Sequence, residues 1–301
     1  MPVPALLIGL VAGALAPIAQ AADPIASGDF ASGSTGRANP RSLSAIITSP
    51  GVIALERQYT IGGSARFGPQ KNRSFQGGAS DSVTGPVALG LMWAGEWSSP
   101  PVPDDELPGW RVPDDDAENP TEQTTIGGSL GGAFAQRKVG VGIGVSYHRY
   151  QSFYREGAGV VDLSAGLSGK LGDQVIVAAS VRDFLPSTDF TKAPLLIEGG
   201  IRWGPSPWFA LEADVWTDMQ TLDTPAVSVG VGGVAWAAKT VPLRLGYTHD
   251  GVEDEDVLTA GVGAGSDKGS LEYAFGVPLQ PIGGNVGTLG TWHGVSLIAH
   301  F

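Results

Sequence analysis

Eight ionisable residues stand at alternate positions in the second half of the chain: Asp162, Arg182, Glu198, Arg202, Glu212, Asp214, Arg244 and Glu272. Each is out of phase with an apolar row, as Asp162 is between Val161 and Leu163 and Glu212 between Leu211 and Ala213. Acids and bases arranged this way on neighbouring strands can pair to fill a polar interior, or line a route through it. Neither use requires covalent chemistry. The spacing predicts that Glu198 and Arg202 face Glu212 and Asp214, with Arg182, Arg244 and Glu272 on the same side.

Residue patterns that would support catalysis do not survive their context. "GGSLG" at 127–131 matches a nucleophile elbow, which needs a strand-to-helix turn, but here it sits inside an alternating run. "GVGIG" at 140–144 and "GVGG" at 230–233 are not dinucleotide loops, because no helical period comes after them. The four histidines, His148, His249, His293 and His300, lack the linear spacing of a metal site. No Ser/His/Asp set is brought together by the pattern. The expectation is a protein that is not an enzyme, with no cofactor and no metal ligands.

The elements that must position these charges are strands. Period-two alternation runs through "YTIGGSARF", "PVALGLMWAGEW", "VGVGIGVSYH" and most of the remaining chain, and helical period is nearly absent. About 14 strands are predicted, an even number as in single-chain outer-membrane barrels. Their expected spans are 59–67, 72–80, 86–97, 123–136, 139–149, 160–170, 175–182, 194–204, 208–218, 226–237, 241–250, 256–265, 270–280 and 291–301. Most are close to the ~9–11 residues that cross a bilayer at a barrel's tilt. Connections alternate short ("QRK", "LGDQ", "GPSP", "AAKT", "GSDK") and long (98–122, "DFLPSTDF", "PIGGNVGTLG"), as periplasmic turns and external loops do. On the apolar face the same order puts Tyr59, Trp203, Phe209, Tyr273 and Phe301 near one edge. Phe67, Trp93, Tyr147 and Tyr247 fall near the other. Two aromatic belts suit the headgroup zones of a membrane. The fold class predicted is all-β, a transmembrane antiparallel barrel.

The net charge is −12. Ser98–Glu122 carries eight acids against one base, and Asp250–Asp256 carries five acids and no base, so the rest of the chain is neutral. With no basic footprint, nucleic-acid binding is excluded. Both acidic tracts fall on the long-loop side by strand parity and read as solvated surface.

The first residues, "MPVPALLIGLVAGALAPIAQAADP", hold an apolar core from Ala5 to Ile18 followed by Ala19-Gln20-Ala21, a small-x-small cleavage pattern. Residues 1–21 are expected to be a secretory signal peptide, since the run is shorter than the ~20 residues of a transmembrane helix and contains Pro17. The exported remainder has no cysteine, so no disulfide framework supports it. At the other end "TWHGVSLIAHF" alternates to a terminal aromatic, Phe301. It is expected to close the barrel by pairing with the first strand. It also resembles the carboxy-terminal signal read by the barrel-assembly machinery.

Residues 22–58 do not read as strand. In "SGSTGRANPRSLSAIITSPGVIALERQYTIGGSARFGP" an apolar stretch leads to Ser49-Pro50-Gly51 and then to Val52-Ile53-Ala54-Leu55. This order, with "SDSVTGPVALGL" at the second hairpin, resembles the long-chain fatty-acid transporter family of outer-membrane barrels. In that family an Asn-Pro-Ala-Gly-like motif lies in a hatch that plugs a 14-stranded barrel, and Ser49 stands here where the family has Asn. The motifs cover about residues 37–97, while the order of elements extends over the chain. The resemblance implies a 22–58 hatch inside a 59–301 barrel, working as a monomer in outer-membrane lipid. It further implies passive, gated uptake of a small hydrophobic ligand such as a fatty acid. The alternative is a non-transporting scaffold or secretion-accessory barrel that works through its acidic loops.

Overall fold

The computed structural model describes residues 27–301 apart from 69–71, 98–119, 153–157, 186–193, 223, 253, 267 and 280–290. The expected signal peptide, and the acidic tract up to residue 119, lie outside the described residues. Fourteen strands succeed one another: β1 (Tyr59–Phe67), β2 (Arg73–Asp81), β3 (Val87–Trp97), β4 (Pro120–Phe134), β5 (Val139–Ser152), β6 (Ala158–Leu171) and β7 (Val175–Arg182), then β8 (Leu196–Ser206), β9 (Phe209–Asp218), β10 (Ala226–Ala237), β11 (Val241–Asp250), β12 (Glu255–Ser266), β13 (Gly269–Pro278) and β14 (Trp292–His300). Each pairs antiparallel with its chain neighbours, and β14 returns to β1, closing the barrel. Closure leaves no edge to present unpaired backbone groups.

The seam is tied at its last residue. Tyr59 and Phe301 exchange both backbone hydrogen bonds, at 2.9 and 2.8 Å, and their rings lie 6.2 Å apart. From there the register runs Thr60↔His300 to Phe67↔His293 without a break.

Alternation sorts the side chains into two faces, because successive residues of a strand point to opposite sides. Leu91, Ile143, Leu245, Leu271 and Leu297 point outward and are exposed, Leu245 by 71%. On the same strands Met92, Ser146, Thr248, Glu272 and Ser296 are buried inside. A barrel dissolved in water would have the reverse polarity on its outer surface.

Several boundaries differ from the expectation. β4 starts at Pro120, so the last residues of the 98–122 tract are strand, with Glu122 opposite Trp97. β11 ends at Asp250 as expected, and Glu255 opens β12 one residue early, so both ends of the second acidic tract are strand. Tyr273 is a correction to the aromatic sorting. It pairs with Val262 and Val295 at mid-strand, and its hydroxyl bonds His293 Nδ1 (2.6 Å). The residue count from the turn placed it at the edge, but the 269–278 span of β13 does not.

Residues 27–58 fold into short pieces: α1 (Ser27–Ala31), α2 (Ala45–Thr48) and a 3-10 turn (Val52–Ala54). They are held inside the barrel. Leu43, Ile46, Ile47, Val52, Ile53 and Leu55 are all at most 5% exposed and form one cluster with Ala88, Met92, Ile176 and Ala178 from the strand interiors. Burying such side chains is worth ~1.5–3 kcal/mol each, which is why an apolar run without lipid-facing period packs here rather than remaining in water.

Candidate functional site

The interior has two halves, and glycines make room for the amino-terminal segment in both. On β10 and β11, a Cβ at Gly230, Gly232 or Gly246 would collide with the Ser32–Gly33 backbone. Gly33 itself has φ +75, and Ser34 beside it φ 57, so the chain turns there through the left-handed region. Across the lumen, a Cβ at Gly140 or Gly142 of β5 would collide with the Pro50–Gly51 backbone, and one at Gly166 of β6 would crowd the Pro50 ring at 3.2 Å. The glycine runs that imitate nucleotide loops are therefore the smooth wall against which this segment lies. Ser49 is completely buried, and its hydroxyl has no hydrogen-bond partner among the described residues. Ser180 Oγ donates to the Thr48 carbonyl at 2.6 Å, fixing the turn beside it.

The charges expected to line the lumen are brought together largely around this segment. Arg37 is the centre. Its Nη2 lies 2.8 Å from Glu198 Oε1, its guanidinium stacks 4.4 Å from the Trp216 ring, and its backbone N–H donates to Asp214 Oδ2 at 3.0 Å. Glu198 is shared: Arg182 donates to it through Nε and Nη2, each at 3.0 Å. Asp214 also accepts from the Gly36 N–H at 2.9 Å. Glu212 accepts from Thr35 Oγ1 (3.0 Å), Asn39 Nδ2 (3.3 Å) and Arg202 Nε (3.1 Å). Arg244 forms a two-pronged pair with Glu272 at 2.6 and 3.1 Å and reaches Ser32 Oγ at 3.3 Å.

Of the pairing expected across β8 and β9, Arg202 and Glu212 do stand opposite each other. Glu198 does not face the β9 acids, because the register puts it opposite Trp216 and puts Gly200 opposite Asp214. Their shared partner is Arg37. Arg37 escaped the pattern because it belongs to a segment with no period, where charge placement cannot be read from alternation.

Near the start of the segment, Asp29 is buried and bound by the hydroxyls of Ser42 and Ser44. Burial drives its carboxyl up to about 7, against the lowering effect of the two hydroxyls and of Arg244. At the other end Arg137, in the turn after β4, donates to the Ala54 carbonyl (2.8 Å) and the Ser82 carbonyl (3.0 Å), fastening the exit of the segment to the barrel rim.

Asp162 stands apart from the Arg37 network. It is fully buried on β6 beside His148 of β5 and Asp183, which comes directly after β7. Ligand atoms of the three lie within 4.8 Å of one another. Linear spacing hid this convergence, because the three residues come from separate stretches of the chain.

No family model matches the chain, and no curated protein does. Among solved structures the chain is similar to a FadL homologue of Pseudomonas aeruginosa, with 10% identity and a TM-score of 0.66 over 94% of this chain and 99% of that one. It is also similar to the Pseudomonas putida toluene transporter TodX, with 10% identity and a TM-score of 0.60 over 93% of this chain and 98% of that one. The monoaromatic hydrocarbon channel CymD gives 10% identity and a TM-score of 0.56 over 92% of this chain and 96% of that one. The chain thus shares the fold of FadL- and TodX-type barrels over nearly the whole length of both, as a distant structural relative.

Proposed function

We propose that this protein is an outer-membrane channel for passive uptake of small hydrophobic molecules, closed at rest by its residues 27–58. The observation that carries this reading is the segment's own chemistry: an apolar cluster from Leu43 to Leu55 inside a barrel whose outer face is also apolar. An apolar outer face suits lipid, and an apolar patch on an otherwise polar lumen suits a hydrophobic passenger. The likeness in fold to a toluene transporter and a monoaromatic hydrocarbon channel supports the same class. Fatty acids and monoaromatic hydrocarbons are both within it.

Transport needs no covalent step. The Arg37, Glu198, Arg182 and Asp214 network holds the segment in register, and passage requires the segment to shift along its glycine wall. The test is uptake of radiolabelled toluene and of a labelled long-chain fatty acid by cells that express the protein or lack it. Faster entry of either compound, saturating weakly and independent of energy supply, is expected. Equal entry of both compounds with and without the protein would reject the reading.

A further inference from the structure

We propose that His148, Asp162 and Asp183 form a binding site for one divalent transition-metal cation, of the class Zn2+ represents, in the barrel wall. This goes beyond the uptake reading and does not depend on it. The three residues arrive from different elements: His148 near the end of β5, Asp162 near the start of β6, and Asp183 immediately after β7. They are 5%, 0% and 6% exposed. One imidazole and two carboxylates are a donor set that zinc-class ions accept.

Two features point to a ligand rather than to a chance meeting of acids. Both carboxylate oxygens of Asp162 are buried without any hydrogen-bond partner among the described residues. A buried carboxylate is costly unless something offsets it; His148 offsets part of the cost only when it carries a proton, and the carboxylate of Asp183 makes the cost larger. Arg182, adjacent in sequence to Asp183, directs its Nε and Nη2 to Glu198 instead. The second feature is the orientation of the imidazole. His148 Nδ1 is 2.9 Å from Thr125 Oγ1, and Nε2 lies 3.8 Å from Asp183 Oδ1. With Nδ1–H donated to Thr125, a neutral ring accepts from the Ser146 hydroxyl at Nε2 (2.9 Å); turning that hydroxyl frees the Nε2 lone pair for an ion, while the outer hydrogen bond at Nδ1 fixes the ring as in metal-binding histidines.

The distances fit after a small contraction. Two atoms bound at ~2.1 Å to one ion lie from about 3 Å (adjacent) to about 4.2 Å (opposite) apart. The ligand atoms here are within 4.8 Å, so side-chain shifts of well under an ångström per ligand close the site. Ser146 Oγ, 2.9 Å from Nε2, is placed to turn its oxygen towards the ion as a fourth donor.

Occupation would tie Asp183 to the β5–β6 wall where strand pairing stops. The β6–β7 ladder ends at Ser164↔Arg182, and beyond it Phe184 N–H reaches only to the Leu163 carbonyl at 3.4 Å. Asp183 itself has φ 56, an uncommon conformation for a residue other than glycine, of the kind that collects at functional positions. The ion would thus staple the start of the β7–β8 connection to the neighbouring wall.

The experiment uses the full-length barrel in detergent, stripped with EDTA, dialysed, and titrated with Zn2+ and separately with Co2+. One equivalent of Zn2+ is expected to bind at the site and to raise the thermal unfolding temperature. Co2+ should give visible d–d bands that shift with a nitrogen ligand. Asp162→Asn and Asp183→Asn, which keep side-chain shape, should each weaken binding by at least ~10-fold and abolish the bands, since even outer-shell changes cost 10–100-fold. Heat-modifiable mobility would confirm that each variant is a folded barrel, and His148→Gln serves if either one is not. Two results overturn the proposal: no saturable Zn2+ binding by the wild type, or binding and bands unchanged in the folded variants. The latter would assign the ion to the acidic tracts at 98–122 and 250–256.

Discussion

Arg37 and Glu198 meet at 2.8 Å inside the barrel, 161 residues apart in sequence, and both are almost fully removed from solvent. The pair joins the amino-terminal segment to β8, and through Glu198 to Arg182 of β7. Its consequence is mechanical: the segment cannot leave the lumen without breaking it. Removing Arg37 leaves Glu198 paired with Arg182 alone and takes a cation away from Asp214, 3.6 Å from Nη1, so the loss falls on the docking of the segment rather than on the barrel. Arg37→Ala is therefore expected to release the segment while the barrel, still held by Arg182–Glu198, stays folded. Planar-bilayer recordings should show higher and noisier conductance than wild type. A quiet, unchanged trace from a folded variant would mean that the pair does not hold the closure.

The glycine wall gives a steric version of the same test. Gly246→Ala puts a methyl group against the Ser32–Gly33 backbone, whereas Gly77→Ala meets only the Gly62 carbonyl, at an ordinary 3.6 Å. Limited proteolysis of the purified barrel should cut Gly246→Ala within residues 27–41 and spare Gly77→Ala. Equal resistance of both would show that the wall tolerates a Cβ and that the segment lies less tightly against it.

Asp29 makes closure depend on pH. Its folded-state carboxyl is raised to about 7 from an ordinary value of 3.8, so the docked segment binds a proton that the undocked one releases. Docking is most favoured below the ordinary value, weakens as pH rises between the two, and has lost this contribution above about 7. Amide hydrogen exchange in residues 29–36, corrected for intrinsic rates, should be slower at pH 5.5 than at pH 8. Asp29→Asn should flatten that difference. A pH difference that persists in Asp29→Asn would assign the effect to another group.

Phe301 supplies both the last backbone pair to Tyr59 and the ring beside it. Its deletion is expected to lower the yield of assembled barrel in the outer membrane several-fold, measured by heat-modifiable mobility of membrane fractions. Normal yield would mean that Thr60↔His300 is enough to close the seam and that no assembly signal resides in the last residue.

The barrel was legible from sequence because one physical constraint, the strand period of two, acts on nearly every residue from Tyr59 onward. Its strand order and faces derive from that constraint, and the boundaries differ most at β4, which starts three residues early, at β5, which runs three residues further, and at β8, which is shifted by two. The site was legible only on the strand side. Arg202 and Glu212 could be paired from alternation, since they occupy facing strands in direct register. Arg37 could not, because it enters from a segment without a period. His148, Asp162 and Asp183 could not either, because their convergence depends on where β7 stops. That stop is marked in the sequence only by a change from strand residues to Asp183-Phe184-Leu185-Pro186.

Closure of a hydrophobic-molecule channel by its own amino-terminal segment is best tested by deleting residues 24–54 with residues 1–23 retained. Conductance of the purified variant is then recorded in planar bilayers. A folded, heat-modifiable barrel is expected, with a stable conductance well above that of the wild type and faster entry of labelled toluene into expressing cells. A folded variant with wild-type conductance would be incompatible with closure from within, and would leave a charge-filled barrel serving as a scaffold as the better description.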